Sequence, residues 1–445
     1  MSHNKYDVCV IGLGYVGLTL ATVLSEVGLR VLGVEKRQSV VEMTANGRPH
    51  FSEAGLQEAL SRVTSANRLV AVTELPEGLD CGIFIITVGT PLNSDGVARL
   101  DMIEAASGQV ARYMADDALV ILRSTVKIGT ARNVVSPILR QSGKRFAVAM
   151  CPERTLEGRA LQELRELPQI VGADDQATRD RASSLFRQLT SSVVQVSSLE
   201  AAEVIKLVDN TFRDVQFAFA NEVARLCDAF GISAHEVISL GKLGYKRTNV
   251  PLPGLVGGPC LEKDPHILRE SAQSRGIELE ITRASRLVNE RQPAETVSFI
   301  SSKAKARGIA DDAKIAILGM AFKGVPATDD LRGSMSSKVL HEIARERPKA
   351  AIYLYDPVVS REELAAHFPN CEVSQSLQDA VRDAAVVIIA NNHPALAAVS
   401  PRGLAALMSA NGFIYDYWNH FSSLTSEEKG SSYLAVGTSG VGEQH

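Results

Sequence analysis

Tyr6-Asp7-Val8-Cys9-Val10-Ile11-Gly12-Leu13-Gly14-Tyr15-Val16-Gly17 begins with an apolar run that predicts a buried strand, and it runs straight into a glycine triplet. A helical apolar pattern follows from Leu18 to Val27. Arg30-Val31-Leu32-Gly33-Val34 then predicts a second strand, which ends at Glu35. Strand, G-x-G-x-x-G, helix, strand and acid together form a dinucleotide-binding unit in full context. Gly12 makes the turn, Gly14 admits a pyrophosphate, and Gly17 lets helix and strand pack closely. The pyrophosphate would rest on the N–H groups at the helix start, which include those of Tyr15 and Val16. Glu35 would accept hydrogen bonds from the adenosine ribose and repel a 2′-phosphate, which favours NAD over NADP. Lys36 and Arg37 follow at once, and either could instead receive a phosphate. The competing reading is a doubly wound fold with no cofactor.

Outward from this unit, strand-like runs recur at Leu69–Val72, Ile83–Val88, Ala118–Leu122, Phe146–Met150 and Val193–Val196. Strands alternating with helices predict a mainly parallel sheet covered on both faces. From Leu199 to about Ser239 the pattern is helical and free of proline, a natural connector. A second helical region spans roughly Asp264 to Arg307. Alternation restarts at Lys314-Ile315-Ala316-Ile317-Leu318-Gly319 and continues through Ala351–Asp356 and Ala385–Ile389. The expected fold class is α/β: two Rossmann-like doubly wound domains joined by a long central helix and a helical middle region. The expected boundaries are 1–198 for an NAD-binding domain, 199–308 for a helical connector and dimerisation region, and 309–445 for a nucleotide-sugar domain.

A chain of 445 residues with 45 % hydrophobic residues can bury sizeable cores, and a formal charge of −4 argues against general affinity for nucleic acid or membranes. The six cysteines (9, 81, 151, 227, 260, 371) show no metal-ligand or redox-pair spacing, so no metal site is expected and a reduced, cytoplasmic setting fits. Cys9 and Cys81 sit in strand-like runs and read as core. No charged-then-apolar leader and no membrane-length apolar run is visible.

Gly257-Gly258-Pro259-Cys260-Leu261-Glu262-Lys263-Asp264-Pro265 carries the chemistry. Paired glycines allow a tight bend, and Pro259 suits the first turn of a helix running on through His266-Ile267-Leu268. Cys260 would lie at that helix's positive end, where thiolate is favoured. Lys263 and Asp264, at i+3 and i+4, would share its face. The bland alternative is a buried cysteine beside a turn. Lys206 and Asn210, four apart on the predicted long helix, form a donor pair for an oxyanion or else a solvated polar stripe. Asn221 and Glu222 follow three turns on. Thr87-Val88-Gly89-Thr90 and Arg123-Ser124-Thr125-Val126-Lys127-Ile128-Gly129-Thr130 follow strands at their carboxyl ends, where doubly wound sheets gather ligands. Their hydroxyls could hold a ribose or a water, or simply cap helices. Cys151-Pro152-Glu153-Arg154-Thr155-Leu156-Glu157-Gly158 places Glu153 and Glu157 near the same crevice, to hold a water, take a proton or face solvent.

With GLGYVGL at 12–18, STVKIGT at 124–130, PERTLEG at 152–158, Lys206 and Asn210, GGPCLEKD at 257–264 and FKGVPATDDLRGS at 322–334, the chain resembles the nucleotide-sugar 6-dehydrogenases, the UDP-glucose/GDP-mannose dehydrogenase family. The motifs stand in family order over nearly the whole chain. The resemblance implies oxidation of the C6 hydroxymethyl of a UDP-sugar to a carboxylate with two NAD+ and one water, and a homodimer or larger assembly. It implies that Cys260 traps the aldehyde and carries a thioester. Lys206 and Asn210 would stabilise negative oxygen, and Asp264 would orient water, with Thr125 and Glu153 assisting. Lys263 and Glu157 match positions near the nicotinamide half and the substrate, and Arg332 matches an arginine that reaches the cofactor or active site from the C-terminal domain; Thr90 is expected beside the cofactor. Phe322 and Lys323 match the stretch that helps hold the nucleotide, and Gly257 is expected on the nucleotide-sugar with them. In the loop before the cysteine, Lys242 or Arg247 could contact the pyrophosphate or sugar, or simply be solvated loop charges. Pro259 and Leu261 depart from the serine and aromatic residue usual in UDP-glucose enzymes. Asp264-Pro265 and Cys151–Arg154 look more like the UDP-N-acetylhexosamine relatives, whereas Lys263 and Glu157-Gly158 look more like the UDP-glucose side. Two other readings stand beside this one: a two-electron hydroxyacid dehydrogenase of the 6-phosphogluconate type, and a non-catalytic NAD or nucleotide-sugar sensor.

Overall fold

The computed structural model describes residues 5–438, so the first four and last seven residues of the expected terminal domains lie outside the described chain. Two compact units emerge: Met1–Asp209 with His266–Glu278, and Asn210–Pro265 with Leu279–His445.

The first unit holds strands β1 (Val8–Ile11), β2 (Val31–Val34), β3 (Leu69–Val72), β4 (Ile83–Ile86), β5 (Ala118–Leu122), β6 (Phe146–Met150), β7 (Gln169–Gly172) and β8 (Val193–Val196). They form one sheet in the order β8-β7-β6-β5-β4-β1-β2-β3. Neighbours are parallel except β6 and β7, which meet antiparallel at Met150 and Gly172. Successive residues of a strand face opposite sides. Val8 and Val10 accordingly enter one core with Ile85, Leu119 and Ile121. Cys9 and Ile11 enter the other with Phe84, Val120 and Leu122. Two buried faces explain why these strands read as continuous apolar runs. Chain direction across the sheet reverses between β1 and β4, so the loops after them part and leave a crevice at the strand ends. Helix α1 (Tyr15–Glu26) starts there.

The second unit repeats the plan. β9 (Lys314–Leu318), β10 (Ala351–Tyr355), β11 (Glu372–Val373), β12 (Val386–Ile389), β13 (Phe413–Asp416) and β14 (Tyr433–Ala435) form a wholly parallel sheet in the order β11-β10-β9-β12-β13-β14. The turn after β9 mirrors the fingerprint turn. Gly319 has φ +89°, as Gly12 has φ +97°, and Gly319 N donates to Tyr355 O as Gly12 N donates to Val34 O, both at 2.8 Å. The acid after the second strand differs in use. Asp356 Oδ2 accepts from Met320 N at 2.6 Å and Ala321 N at 2.9 Å, filling the turn from within.

Helix α2 (Leu199–Phe230) is shorter than the sequence pattern predicts. Gly231 takes φ +64°, the left-handed conformation that ends helices, and Ile232 N bonds back to Cys227 O at 3.0 Å. Ser233 then caps a fresh helix, Ala234–Gly241. The segment around the singled-out cysteine also breaks. A single turn, α3 (Gly258–Leu261), is followed by α4 (Asp264–Gln273), so the helix expected to run on from Pro259 is interrupted at Glu262-Lys263. The expected second helical region likewise divides before α5 (Glu280–Ala306).

Candidate active site

In the first unit the glycine turn has the steric character the fingerprint demands. A Cβ on Gly17 would lie 1.8 Å from Gly12 O and 2.6 Å from Thr87 Oγ1, whereas the Cβ position of Gly14 meets nothing within 4 Å. Gly14 also caps α1 without a side-chain bond, and no acid occupies the first turn. The N–H groups of that turn, beside half-buried Tyr15 and Val16, thus remain a cradle for an anion. Glu35 Oε2 accepts from Leu13 N at 3.2 Å, and Arg37 Nε donates to Oε1 at 3.1 Å. Burial works against its charge, but the hydrogen bonds from Arg37 outweigh it, so the carboxyl sits below its usual range. Arg37 is thereby tied to the acid. These residues fit NAD.

Tyr15 has a further partner that the sequence hid. Its hydroxyl donates to Glu53 Oε2, and Gly158 N donates to both groups, at 3.0 Å to the hydroxyl and 2.7 Å to the carboxylate. Ala160 N donates to Glu53 Oε1 at 2.8 Å. One buried carboxylate therefore ties the 152–158 loop to the start of α1. Burial and then Glu53 push the Tyr15 hydroxyl far above its ordinary pKa.

The loops after β4, β5 and β6 are knit together. Thr90 Oγ1 donates to Thr125 O at 2.5 Å, and Ser124 Oγ to Val88 O at 2.6 Å. Glu153 has both oxygens engaged. Oε2 accepts from Arg123 Nη2 at 2.6 Å and Nε at 3.0 Å, while Oε1 accepts from Arg154 N at 2.7 Å and Thr155 N at 2.9 Å. Burial opposes its ionisation, but Arg123 wins and the carboxyl is lowered. Glu157 is half-buried in the same loop. Glu203 on α2, 1 % exposed, accepts from Gly129 N at 2.5 Å and Ala131 N at 2.9 Å, and so anchors the far end of the STVKIGT loop. Burial raises it to about 7. Lys206 is one turn further along α2 and buried.

In the second unit, Asn210 Nδ2 donates to Asp264 Oδ2 at 2.6 Å, with both residues buried. Lys263 Nζ stands 3.8 Å from Asp264 Oδ1. The cysteine turn needs its glycines. A Cβ on Gly257 would lie 2.4 Å from Gly333 O. Gly258, at φ +86°, would drive one to 2.3 Å from the Phe322 ring. Gly258 N donates to Gly333 O at 2.7 Å. Phe322 therefore lies under the turn, and Lys323 Nζ is 5.3 Å from its ring centroid. Cys260 is exposed, whereas Cys9, Cys81, Cys151 and Cys227 are buried. Arg332 is paired with Asp330 at 2.6 Å and is largely exposed. Exposed Arg247 stacks on Tyr245, and Lys242 Nζ reaches Val250 O at 3.4 Å.

Among the described residues no group of three or more His, Cys, Asp or Glu could hold a metal ion, and no helix is long and apolar enough to cross a membrane. Glu53 and Glu203 escaped the sequence reading, because a lone carboxylate bonded to distant backbone amides leaves no periodic signal. Arg123, quoted only as the start of its loop, pairs with the Glu153 carboxylate, which its position did not reveal. The only hint was charge inside otherwise apolar or glycine-bounded stretches.

Comparison with known proteins agrees with this geometry. Residues 6–190 match the NAD binding domain of the UDP-glucose/GDP-mannose dehydrogenase family, residues 200–291 its central domain and residues 316–423 its UDP binding domain. The UDP-N-acetyl-D-mannosamine dehydrogenase of Pyrococcus horikoshii is 33 % identical over 399 residues, covering 88 % of this chain and 91 % of that protein. That of Campylobacter jejuni is 33 % identical over 404 residues, covering 88 % and 96 %. A solved UDP-glucose dehydrogenase from Pyrobaculum islandicum superposes with a TM-score of 0.85 at 28 % identity, covering 98 % of this chain and 99 % of that one. A solved UDP-D-ManNAc dehydrogenase from Pyrococcus horikoshii gives 0.87 at 31 % identity, covering 98 % and 100 %. The chain belongs to the UDP-glucose/GDP-mannose dehydrogenase family and is an NAD-dependent nucleotide-sugar dehydrogenase.

Proposed function

We propose that this enzyme oxidises the C6 hydroxymethyl of a UDP-sugar to the uronate in two steps, with Cys260 as the nucleophile. The observation that carries the reading is an exposed thiol on a glycine-built turn, a few residues before an Asp264 carboxylate already bonded by Asn210 at 2.6 Å. NAD, held by Gly12, Gly14, Tyr15, Val16, Gly17 and Glu35, supplies the hydride acceptor, two equivalents per sugar. The Cys260 thiolate adds to the aldehyde carbon left by the first oxidation, giving a thiohemiacetal. Loss of its C6 hydrogen as hydride and its hydroxyl proton gives the thioester. Water then cleaves the C–S bond, releasing carboxylate and thiol. Such a covalent route divides a difficult step and keeps a reactive aldehyde bound.

Lys206 and Asn210, one helical turn apart, offer donors to the oxyanion. Asp264 orients the hydrolytic water. Glu153, held by Arg123 and two amides, acts as a fixed anion that shapes its loop, and Thr125 completes that side. Thr90, Glu157, Lys263 and Arg332 serve the cofactor. Gly257, Phe322, Lys323 and Arg247 serve the nucleotide-sugar. In this reading residues 1–198 hold NAD, 199–308 carry the nucleophile and the subunit contact, and 309–445 hold the nucleotide. The names of the relatives, together with Asp264-Pro265 and Cys151–Arg154, favour a UDP-N-acetylhexosamine over UDP-glucose as substrate. The enzyme works in the cytoplasm as a homodimer or larger assembly.

The test is NADH formation with UDP-N-acetylmannosamine, UDP-N-acetylglucosamine, UDP-glucose, UDP-galactose and GDP-mannose side by side. About two NADH per sugar are expected for the preferred substrate, and Cys260→Ser should release no uronate. One NADH per sugar would restore the two-electron reading, and undiminished uronate from the variant would remove the thioester.

A further inference from the structure

We infer that Arg286 and Asp214 are positioning residues for the nucleophile: a buried ion pair that fixes the carbonyl closing the Cys260 turn and ties it to the helix bearing Asn210. The inference rests on the cysteine reading above.

The turn cannot hold itself. It has four residues, opens with glycine and proline, and has no side-chain cap. An isolated turn of this length is unstable without tertiary ties. Its first half is pinned by the Gly258–Gly333 hydrogen bond and the Phe322 ring beneath. Its last residue is pinned by Arg286, whose Nη1 donates to Leu261 O at 2.8 Å. The same Nη1 donates to Asp214 Oδ1 at 2.6 Å. Asn289 Nδ2 completes the cluster by donating to Asp214 Oδ1 at 2.9 Å and to Asp214 O at 3.1 Å. Arg286 is 1 % exposed, and Asp214 and Asn289 are 0 % exposed.

Asp214 lies four residues beyond Asn210 on α2, so one helix face presents both. Two ties therefore join α2 to residues 258–264. One is Asn210 to Asp264, among the reacting groups. The other runs from Asp214 through Arg286 to Leu261 and touches none of them. Stability does not explain the second tie. A buried ion pair gains little over apolar side chains of similar volume, since desolvation offsets the attraction. What apolar side chains cannot do is grip a carbonyl in a set direction. Leu261 directly follows Cys260, so gripping its carbonyl anchors the turn one peptide plane beyond the Cα from which the sulfur projects.

Three variants of the full chain test this: Arg286→Met, Arg286→Lys, and the double replacement Asp214→Leu with Arg286→Met. The single loss leaves a buried carboxylate without its guanidinium, so its folding is not the criterion; the apolar double variant is. Two readouts are taken: the rate of Cys260 alkylation by iodoacetamide, followed by peptide mass spectrometry between about pH 6 and 9, and kcat and KM separately. The double variant is expected to melt cooperatively and to show a displaced alkylation profile. Its kcat should fall by about tenfold or more while KM for NAD changes less than about twofold. Arg286→Lys, which keeps one nitrogen for both acceptors, should recover part of the loss. A double variant with the parent's alkylation profile and kcat overturns the inference. So does one that fails to fold, or one whose NAD affinity falls in step with kcat, because the pair is then structural. Absence of turnover by the parent on every UDP-sugar would instead sink the substrate reading, and the alkylation comparison would still decide the role of the pair.

Discussion

Gly14 and Gly17 sit three residues apart and answer to different constraints, which makes them separable by substitution. At Gly17 a methyl would collide with Gly12 O at 1.8 Å, a backbone atom that cannot move aside. Gly17→Ala should therefore destabilise the fold itself, by at least ~2 kcal/mol in denaturant melts. At Gly14 the same methyl meets no protein atom within 4 Å. Gly14→Ala should melt like the parent, yet raise KM for NAD by about tenfold, ~1.4 kcal/mol. Equal effects on stability from both would contradict this division.

Glu203 offers a pH signature. Burial raises its carboxyl to about 7, so between the ordinary carboxylate range and neutrality the folded chain binds a proton that the unfolded chain has lost. Its contribution to stability is complete at acid pH and falls away as pH rises through about 7. Glu203→Gln, which mimics the protonated acid, should flatten the fall in melting temperature between about pH 5 and 7, a difference on the order of 3 kcal/mol at neutral pH. An unchanged slope would remove the effect. Both glycines could be placed from sequence because their demands are local: open space at the helix start for Gly14, and two backbones in contact for Gly17. Arg123 with Glu153, Tyr15 with Glu53, and Arg286 with Asp214 could not, because each pair closes over tens of residues and neither member alone breaks a pattern.

At the scale of elements, α2 shows two characters. One face is buried through Leu207, Asn210, Thr211, Asp214, Ala218, Asn221 and Ala224. The other exposes Val208, Phe212, Phe219, Leu226 and Phe230, each at least 47 % accessible. Phe212, Phe219 and Leu226 recur every seven residues, a spacing that keeps side chains on one seam of a helix. A contiguous apolar seam in water marks an interaction surface. With the seam as the subunit contact, light scattering should find a dimer or larger assembly for the parent. A monomer is expected for the double variant Phe219→Glu, Leu226→Glu, and an unaltered mass for that variant would exclude the seam. The sequence signalled the helix and its connector role. It mis-set the end, since the apolar period continues past Gly231 whereas the backbone there turns left-handed and Ser233 caps anew. The break after Leu261 was hidden for a similar reason: Pro259 announces a helix start but not how far the helix runs.

At the scale of the molecule, the strand order of the six-stranded sheet repeats within the eight-stranded one. Strands buried on both faces, such as β1, β5 and β12, were legible as apolar runs, whereas the short β7, β11 and β13 were not singled out. The two units nonetheless put the acid after the second strand to opposite uses. Glu35 stands at the rim of the first glycine turn and accepts a single turn amide. Asp356 is folded inward, its carboxylate taking Met320 N and Ala321 N together with Val358 N and Val359 N at 2.8 and 3.0 Å. An internal anion thus occupies the amides of Met320 and Ala321, directly after the Gly319 turn. Were the reaction the proposed two-step oxidation, the spent carrier would have to leave midway and a fresh one arrive. A sulfur anchor on the half-oxidised sugar would keep the cargo aboard during that changeover.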